Sequence, residues 1–332
     1  MKIEKYLVLN KYLLSLWGVS EFQELQDKLK DISDTSNKEI DSYLNILLSY
    51  FGNKIDEANQ NIITKDKLEL YAENITDYLR QINSHREPIR LKYFQYLAVL
   101  FTEIVLDNLK NNQLNFIYYL NEFLHHYKAE NRVELLDDFI EDDLKKIAYW
   151  MATGSGKTLI MHINYYQFLH YKLFSPDSIL LITPNEGLSK QHYEELEKSG
   201  IPCRLYSENF YSSNSFKTRD EVLVIEMTKL VETKKGGGVT ISINAFEGQN
   251  LIFVDEGHKG QKAEEQKWAT LRKQLAEKGM VFEYSATFGQ ILGEKNKATL
   301  KEYAKAIIFD YSYKYFYQDG YGKDFSVLNA KN

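Results

Sequence analysis

The chain has 332 residues, 44% of them apolar and 27% charged, with 4 Pro and 17 Gly, a composition that excludes collagen-like, low-complexity and wholly disordered classes. At this length two domains, or one large α/β domain with an appendage, are expected. The formal net charge is -6, but residues 1–147 carry 18 Lys and Arg against 25 Asp and Glu while residues 148–332 carry 23 against 22; a nucleic-acid site must then be a local patch in the second half.

A single cysteine, Cys203, excludes an internal disulfide framework and fits a cytoplasmic protein. No stretch reaches the ~20 apolar residues of a membrane span, and the first 18 residues are interrupted by Glu4, Lys5 and Lys11, so neither a signal peptide nor a membrane partner is expected.

In residues 1–86 the apolar positions recur at helical spacing, as in Tyr43, Leu44, Leu47, Leu48 and Phe51 and again in Leu70, Ile75, Leu79 and Ile82, which predicts an all-α N-terminal domain. Ser20 and Ser36 stand at capping positions, Ser36 with Glu39 at capping-box spacing. Pro88 disfavours helix before it and sets the expected border, with a second domain over 87–317. Helices are expected over 91 to about 108 and 114–127, and the acidic run 134–143 reads as solvated helix. Residues 107–146 form an expected helical insertion.

From Lys146 the character changes. Apolar runs of strand type, KIAYWM, SILLITP, RLYS, VLVIEM, NLIFVDE and MVFEYSAT, alternate with helical patterns. Near-continuous apolar strands separated by helices are what a mostly parallel sheet, covered on both faces, requires. The expected class is α/β. The run from 307 to 316 reads as the last strand and its exit, and 318–332 as the start of a connection.

Met151-Ala152-Thr153-Gly154-Ser155-Gly156-Lys157-Thr158 lies between a strand and a helix, where a phosphate loop must be. Its glycines let backbone N–H groups close on phosphate oxygens, Lys157 reaches the β/γ-phosphates and the Thr158 hydroxyl suits Mg²⁺. Met151 replaces the usual first Gly, which leaves a simple Gly-rich turn as the alternative. Asp255 and Glu256 end an apolar strand; the first suits a metal ligand and the second a base for water, the alternative being a strand end with polar helix-capping residues. Ser285-Ala286-Thr287, Thr183-Pro184-Asn185 and Thr228-Lys229 also end strands, the edge at which open α/β sheets bind ligands.

In order and spacing, ATGSGKT, TPN with a downstream Gln191, MTKL, DEGH and SAT resemble motifs I, Ia, Ib, II and III of superfamily-two helicases of the DEAD/DEAH type. MATGSGKT, VDEGH and YSATFG are most similar to the restriction subunit of type III restriction enzymes and related bacterial defence ATPases, over about residues 89–318.

The resemblance implies a RecA-like P-loop domain that binds ATP and Mg²⁺, as the first motor domain of an ATP-dependent DNA helicase or translocase. It assigns ATP binding to Thr153, Gly154, Ser155, Gly156, Lys157 and Thr158, the metal to Thr158 and Asp255, and the base to Glu256. His258, Ser285 and Thr287 would couple nucleotide state to strand binding. In Leu91-Lys92-Tyr93-Phe94-Gln95, Gln95 would recognise adenine, the alternative being an amphipathic helix with an incidental Gln. Thr183, Pro184, Asn185, Thr228 and Lys229 would hold one DNA strand by its phosphates, without sequence preference. Lys190, Lys217, Arg219, Lys234 and Lys235 would add attraction or sit as solvated surface lysines and arginine. A second RecA-like domain, which supplies arginines at the transition state, and a modification or specificity subunit are the implied partners. No Arg follows Thr287, so turnover is expected to need that second domain. The rival reading is a nucleotide-gated interaction module that moves no strand.

Overall fold

The apolar runs become strands because each alternates its side chains between two covered faces. In the computed structural model they are β1 (Lys146–Met151), β2 (Ser178–Thr183), β3 (Cys203–Leu205), β4 (Val222–Glu226), β7 (Asn250–Asp255), β8 (Met280–Ser285) and β9 (Ile307–Tyr311). They form one seven-stranded sheet in the order β3-β4-β2-β7-β8-β1-β9, with every pairing parallel. Two short strands, β5 (Leu230–Val231) and β6 (Ile241–Ser242), pair separately. The structure describes residues 3–32, 39–57, 62–133, 135–206, 220–232, 240–256, 270–291 and 297–322.

Alternation sorts the core. Ile179, Leu181, Val222, Val224, Leu251, Phe253 and Phe282 enter one buried cluster, while Leu180, Ile182, Leu223, Ile225, Ile252, Val254 and Val281 enter another on the opposite face. The larger cluster is shared with the helices of the first 131 residues, α1 (Val8–Ser15), α2 (Phe22–Leu29), α3 (Glu39–Glu57), α4 (Lys65–Asn83), α5 (Tyr93–Asn111) and α6 (Gln113–Asn131). Every residue of α5 from Tyr93 to Asn108 is buried, as expected of a helix that is apolar on most of its circumference. It packs against α3, α4 and α6, and also against β9 and α7 (Lys157–Tyr171). Asp107, where the insertion was expected to begin, lies inside α5. On the sheet side, α1 lies on β9, and Asn10 Nδ2 donates to the Ile308 carbonyl at 2.8 Å.

Some local expectations change. Glu21, not Ser20, caps α2, because Glu24 Oε1 accepts from the backbone N–H of both Ser20 (2.9 Å) and Glu21 (3.2 Å). The acidic run is not a solvated helix: among its described residues only Glu141–Lys145 winds, as a 3₁₀ turn, while Asp137 and Asp143 pair with Lys301 and Lys305. Within the run from 307 to 316, read as the last strand and its exit, the strand is Ile307–Tyr311, and the exit winds as a short helix, Tyr313–Gln318. Ser36, Lys217, Arg219, Lys234, Lys235, Gly257, His258 and residues 323–332 lie outside the described residues.

Because every strand runs the same way, all carboxyl ends meet on one edge. The register sets Trp150 opposite Ser285, and Tyr284 opposite Asp255. The turns after β1 and β8 and Glu256 at the end of β7 are thereby neighbours, although the first is separated from the other two by more than a hundred residues of chain.

Candidate active site

Between β1 and α7 the chain turns through Ala152–Gly156 with Gly154 at φ +83° and Gly156 at φ +89°. Ser155 closes the turn, its N–H and Oγ both donating to the Ala152 carbonyl, at 3.2 and 2.7 Å. A Cβ on Gly156 would come within 2.2 Å of Gln95 Nε2, whereas at Gly154 it would meet only the Phe316 ring at 3.7 Å. Gln95 Nε2 donates to the Ser155 carbonyl at 2.9 Å, and its Oε1 accepts from the Lys92 N–H, also at 2.9 Å. Gln95 therefore pins the loop from outside. The first N–H groups of α7 have no partner within their own helix, and they point into the loop with the positive end of the helix dipole.

Lys157 reaches back over this turn. Its Nζ donates to the carbonyls of Met151 and Ala152, each at 3.4 Å, and stands 3.5 Å from Glu256 Oε1. Glu256 is buried, at φ +52°. Ser285 Oγ donates to its Oε2 at 2.9 Å, and the Ala286 N–H donates to its Oε1 at 3.1 Å. Thr287 completes the group, its N–H donating to Ser285 Oγ at 3.0 Å. The P-loop lysine, the second strand-end carboxylate and the Ser-Ala-Thr turn thus form one connected cluster. The turn itself is held by Trp150, whose Nε1 donates to the Ala286 carbonyl at 3.2 Å.

Asp255 is also buried, and its Oδ2 accepts from His192 Nε2 at 2.9 Å. His192 belongs to α8 (Glu186–Lys198), the helix after β2. A half-buried Thr158 hydroxyl and the Asp255 carboxylate are hard oxygen donors, which suit Mg²⁺. Among the described residues no group of three or more His, Cys, Asp or Glu is placed to hold a metal.

The remaining expected positions separate. Thr183 is buried, its Oγ1 2.5 Å from Ser189 Oγ. Asn185 is exposed and caps α8, its Oδ1 accepting from the Leu188 N–H at 2.9 Å. Thr228 Oγ1 donates to Glu226 Oε1 at 2.5 Å, with Lys229 Nζ 3.9 Å from Glu226 Oε2. Lys190 pairs on the surface with Glu186 at 2.9 Å.

Beside the loop lies an aromatic wall, of which sequence reading singled out only the segment with Tyr93 and Phe94. Phe94 stacks on Tyr311 with ring centroids 4.0 Å apart, and Lys92 Nζ sits 3.7 Å from the centre of the Tyr321 ring. Asp319 ties it together, accepting from Tyr93 OH, from Tyr311 OH at 2.5 Å and from Gln26 Nε2 at 2.7 Å. His192 and Trp150 were missed too. A signal for His192 existed, since Ser189, His192 and Leu196 make the buried stripe of α8 and a polar residue on such a stripe needs a partner.

A model of the family described as type III restriction enzyme, res subunit, matches residues 107–290, more than half of the chain. The chain belongs to this family. The family is related to the superfamily-two helicases, so the parallel sheet is its RecA-like domain and the chain is an ATP-dependent, helicase-like protein at that level. The matched span contains the P-loop, the acidic pair and the Ser-Ala-Thr turn, while Gln95 and the whole aromatic wall lie outside it. No curated protein matches the chain. Among the described residues no helix is long and apolar enough to cross a membrane.

Proposed function

We propose that this chain is the first motor domain of a cytoplasmic ATP-dependent DNA helicase or translocase of a restriction-type defence system. The observation that carries the reading is the meeting of Lys157, Glu256 and Ser285 at one end of the sheet, with Glu256 accepting from Ser285 Oγ and the Ala286 N–H and facing the lysine. Lys157 and the α7 N–H groups would hold the nucleotide phosphates, and Thr158 with Asp255 would hold Mg²⁺, which would neutralise charge on them. Glu256 orients a water and accepts its proton at Oε1 or Oε2. Ser285 and Thr287 report the state of Glu256 to the rest of the edge, where Pro184, Asn185, Thr228 and Lys229 grip one DNA strand by its phosphates. In this reading a second RecA-like domain, in the same polypeptide or another, supplies the arginines for the transition state, and a modification or specificity subunit directs the motor.

Calorimetry of Mg²⁺-ATP binding to the chain and to Lys157→Ala tests the nucleotide site. Loss of most of the binding in the variant is expected, and unchanged affinity overturns the assignment.

A further inference from the structure

The carboxylate assigned to Mg²⁺ is not free to rotate. Asp255 can only accept, so the 2.9 Å contact places a proton on His192 Nε2, donated to Asp255 Oδ2. Both side chains are buried, with His192 4% and Asp255 12% exposed. Among the described residues His192 Nδ1 finds no hydrogen-bond partner, so the interaction with Asp255 is what fixes the ring. The next histidine inward, His162, bonds Ser199 Oγ through Nδ1 at 2.8 Å. The backbone of α8 is itself fixed at its start, by Asn185 capping and by Ser189 against Thr183 one turn before His192.

We infer that His192 is the positioning residue of the metal site: it holds Oδ2 of Asp255 so that the other carboxylate oxygen is presented on the Thr158 side of the loop. Groups that orient a metal ligand from behind are worth roughly 10–100-fold in metal affinity, because an unheld carboxylate samples rotamers that do not bind. The inference rests on the reading of Asp255 as the Mg²⁺ ligand. It adds a mechanical path, since α8 runs from the proposed strand-gripping loop at 184–185 to the residue behind the metal ligand.

The test compares ATP affinity with Mg²⁺ and with EDTA, by calorimetry, in four variants. His192→Phe keeps a flat ring and removes the donor; it is expected to lose roughly 10–100-fold of the Mg²⁺-dependent gain while its affinity in EDTA stays that of the parent. His192→Gln, whose Nε2 reaches about as far as the imidazole Nε2, is expected to restore most of the gain. Should the Phe variant not fold, His192→Asn, whose amide stops one bond short, is expected to show the same selective loss. A variant without the donor that keeps the full Mg²⁺ gain overturns the inference, as does one that loses affinity equally with and without the metal. Asp255→Asn separates the two levels. If it retains the gain, the metal assignment fails and this inference with it; if it loses the gain and His192→Phe does not, only the role of His192 fails.

Discussion

Ser285 Oγ donates to Glu256 Oε2 at 2.9 Å, joining the turn after β8 to the acidic end of β7. A hydrogen bond to a charged group contributes about 1.5–3 kcal/mol, so Ser285→Ala is expected to leave ATP affinity near that of the parent and to lower turnover by roughly tenfold or more. Glu256→Gln goes further. It removes the proposed base but leaves Asp255 in place, so in the proposed assembled motor it should bind ATP and DNA without hydrolysis. Steady-state phosphate release beside equilibrium ATP binding checks both, and normal turnover in Glu256→Gln contradicts the base assignment.

Gly156 and Gly154 share a left-handed backbone but not their surroundings. Alanine at either position costs about 1–2 kcal/mol for the conformation. At 156 it also meets Gln95 Nε2 at 2.2 Å and drives that amide off the Ser155 carbonyl. Gly156→Ala is therefore expected to be the more destabilising of the two in urea unfolding, and to weaken ATP binding more. The double variant Gln95→Ala, Gly156→Ala should be less impaired than the sum of the singles; strict additivity shows that Gln95 does not pin the loop.

Glu103 is fully buried between α4, α5 and α7, accepting from Gln167 Nε2 at 2.6 Å, Tyr171 OH at 2.6 Å and Asn74 Nδ2 at 3.1 Å. Burial pushes its carboxyl up to about 7 from an ordinary 4.5, against the pull of these donors. The folded state therefore binds the proton more tightly than the unfolded one. Its contribution is complete below pH 4.5 and is lost as pH rises to about 7, a loss on the order of 3 kcal/mol. Glu103→Gln keeps the shape and cannot ionise, so its unfolding free energy should be flatter across that window. Parallel pH profiles for parent and variant refute the linkage.

If the strand path crosses the ends of β2 and β4, single-stranded DNA should bind weakly, without sequence preference, and with affinity that falls as salt rises. Lys229→Glu should weaken that binding and reduce the slope of log affinity against log salt by about 0.7 for each phosphate the protein no longer neutralises. Fluorescence anisotropy at several salt concentrations reads both. Binding that survives Lys229→Glu with an unchanged slope moves the strand elsewhere and favours the interaction-module reading.

The strands were legible because each is a short apolar run closed by residues whose chemistry needs an exposed sheet edge, as in NLIFVDE and MVFEYSAT. Parallel pairing then brings those ends together whatever the loops do. The partners that hold the site could not be read the same way. His192 lies 63 residues from Asp255, Trp150 136 from Ala286, and Tyr93 226 from Asp319. Periodicity reports the face a residue occupies, not the residue across from it. The acidic run 134–143 misled for a related reason, since its residues find partners in the fold. Lys301 meets Asp137, and Lys305 meets Asp143, both at 2.8 Å.

Pro88 marks a change of element but not a gap in the core, which runs from Trp17, Leu47 and Ile75 through Leu97 and Phe101 to Phe309. Removing 1–86 would expose the α1 side of β9 and one flank of α5, so the remaining chain is expected to lose cooperative unfolding or to aggregate. A milder probe is Asn10→Ala, which strips the Ile308 carbonyl of a buried 2.8 Å donor. Leaving such a group unsatisfied costs about 1–3 kcal/mol, a loss that urea denaturation should register. The same variant should keep its ATP affinity, because Ile308 lies within β9 and away from the edge where the P-loop opens. A cooperative, ATP-binding chain lacking 1–86, together with an Asn10→Ala variant as stable as the parent, would make the helical segment a separate domain.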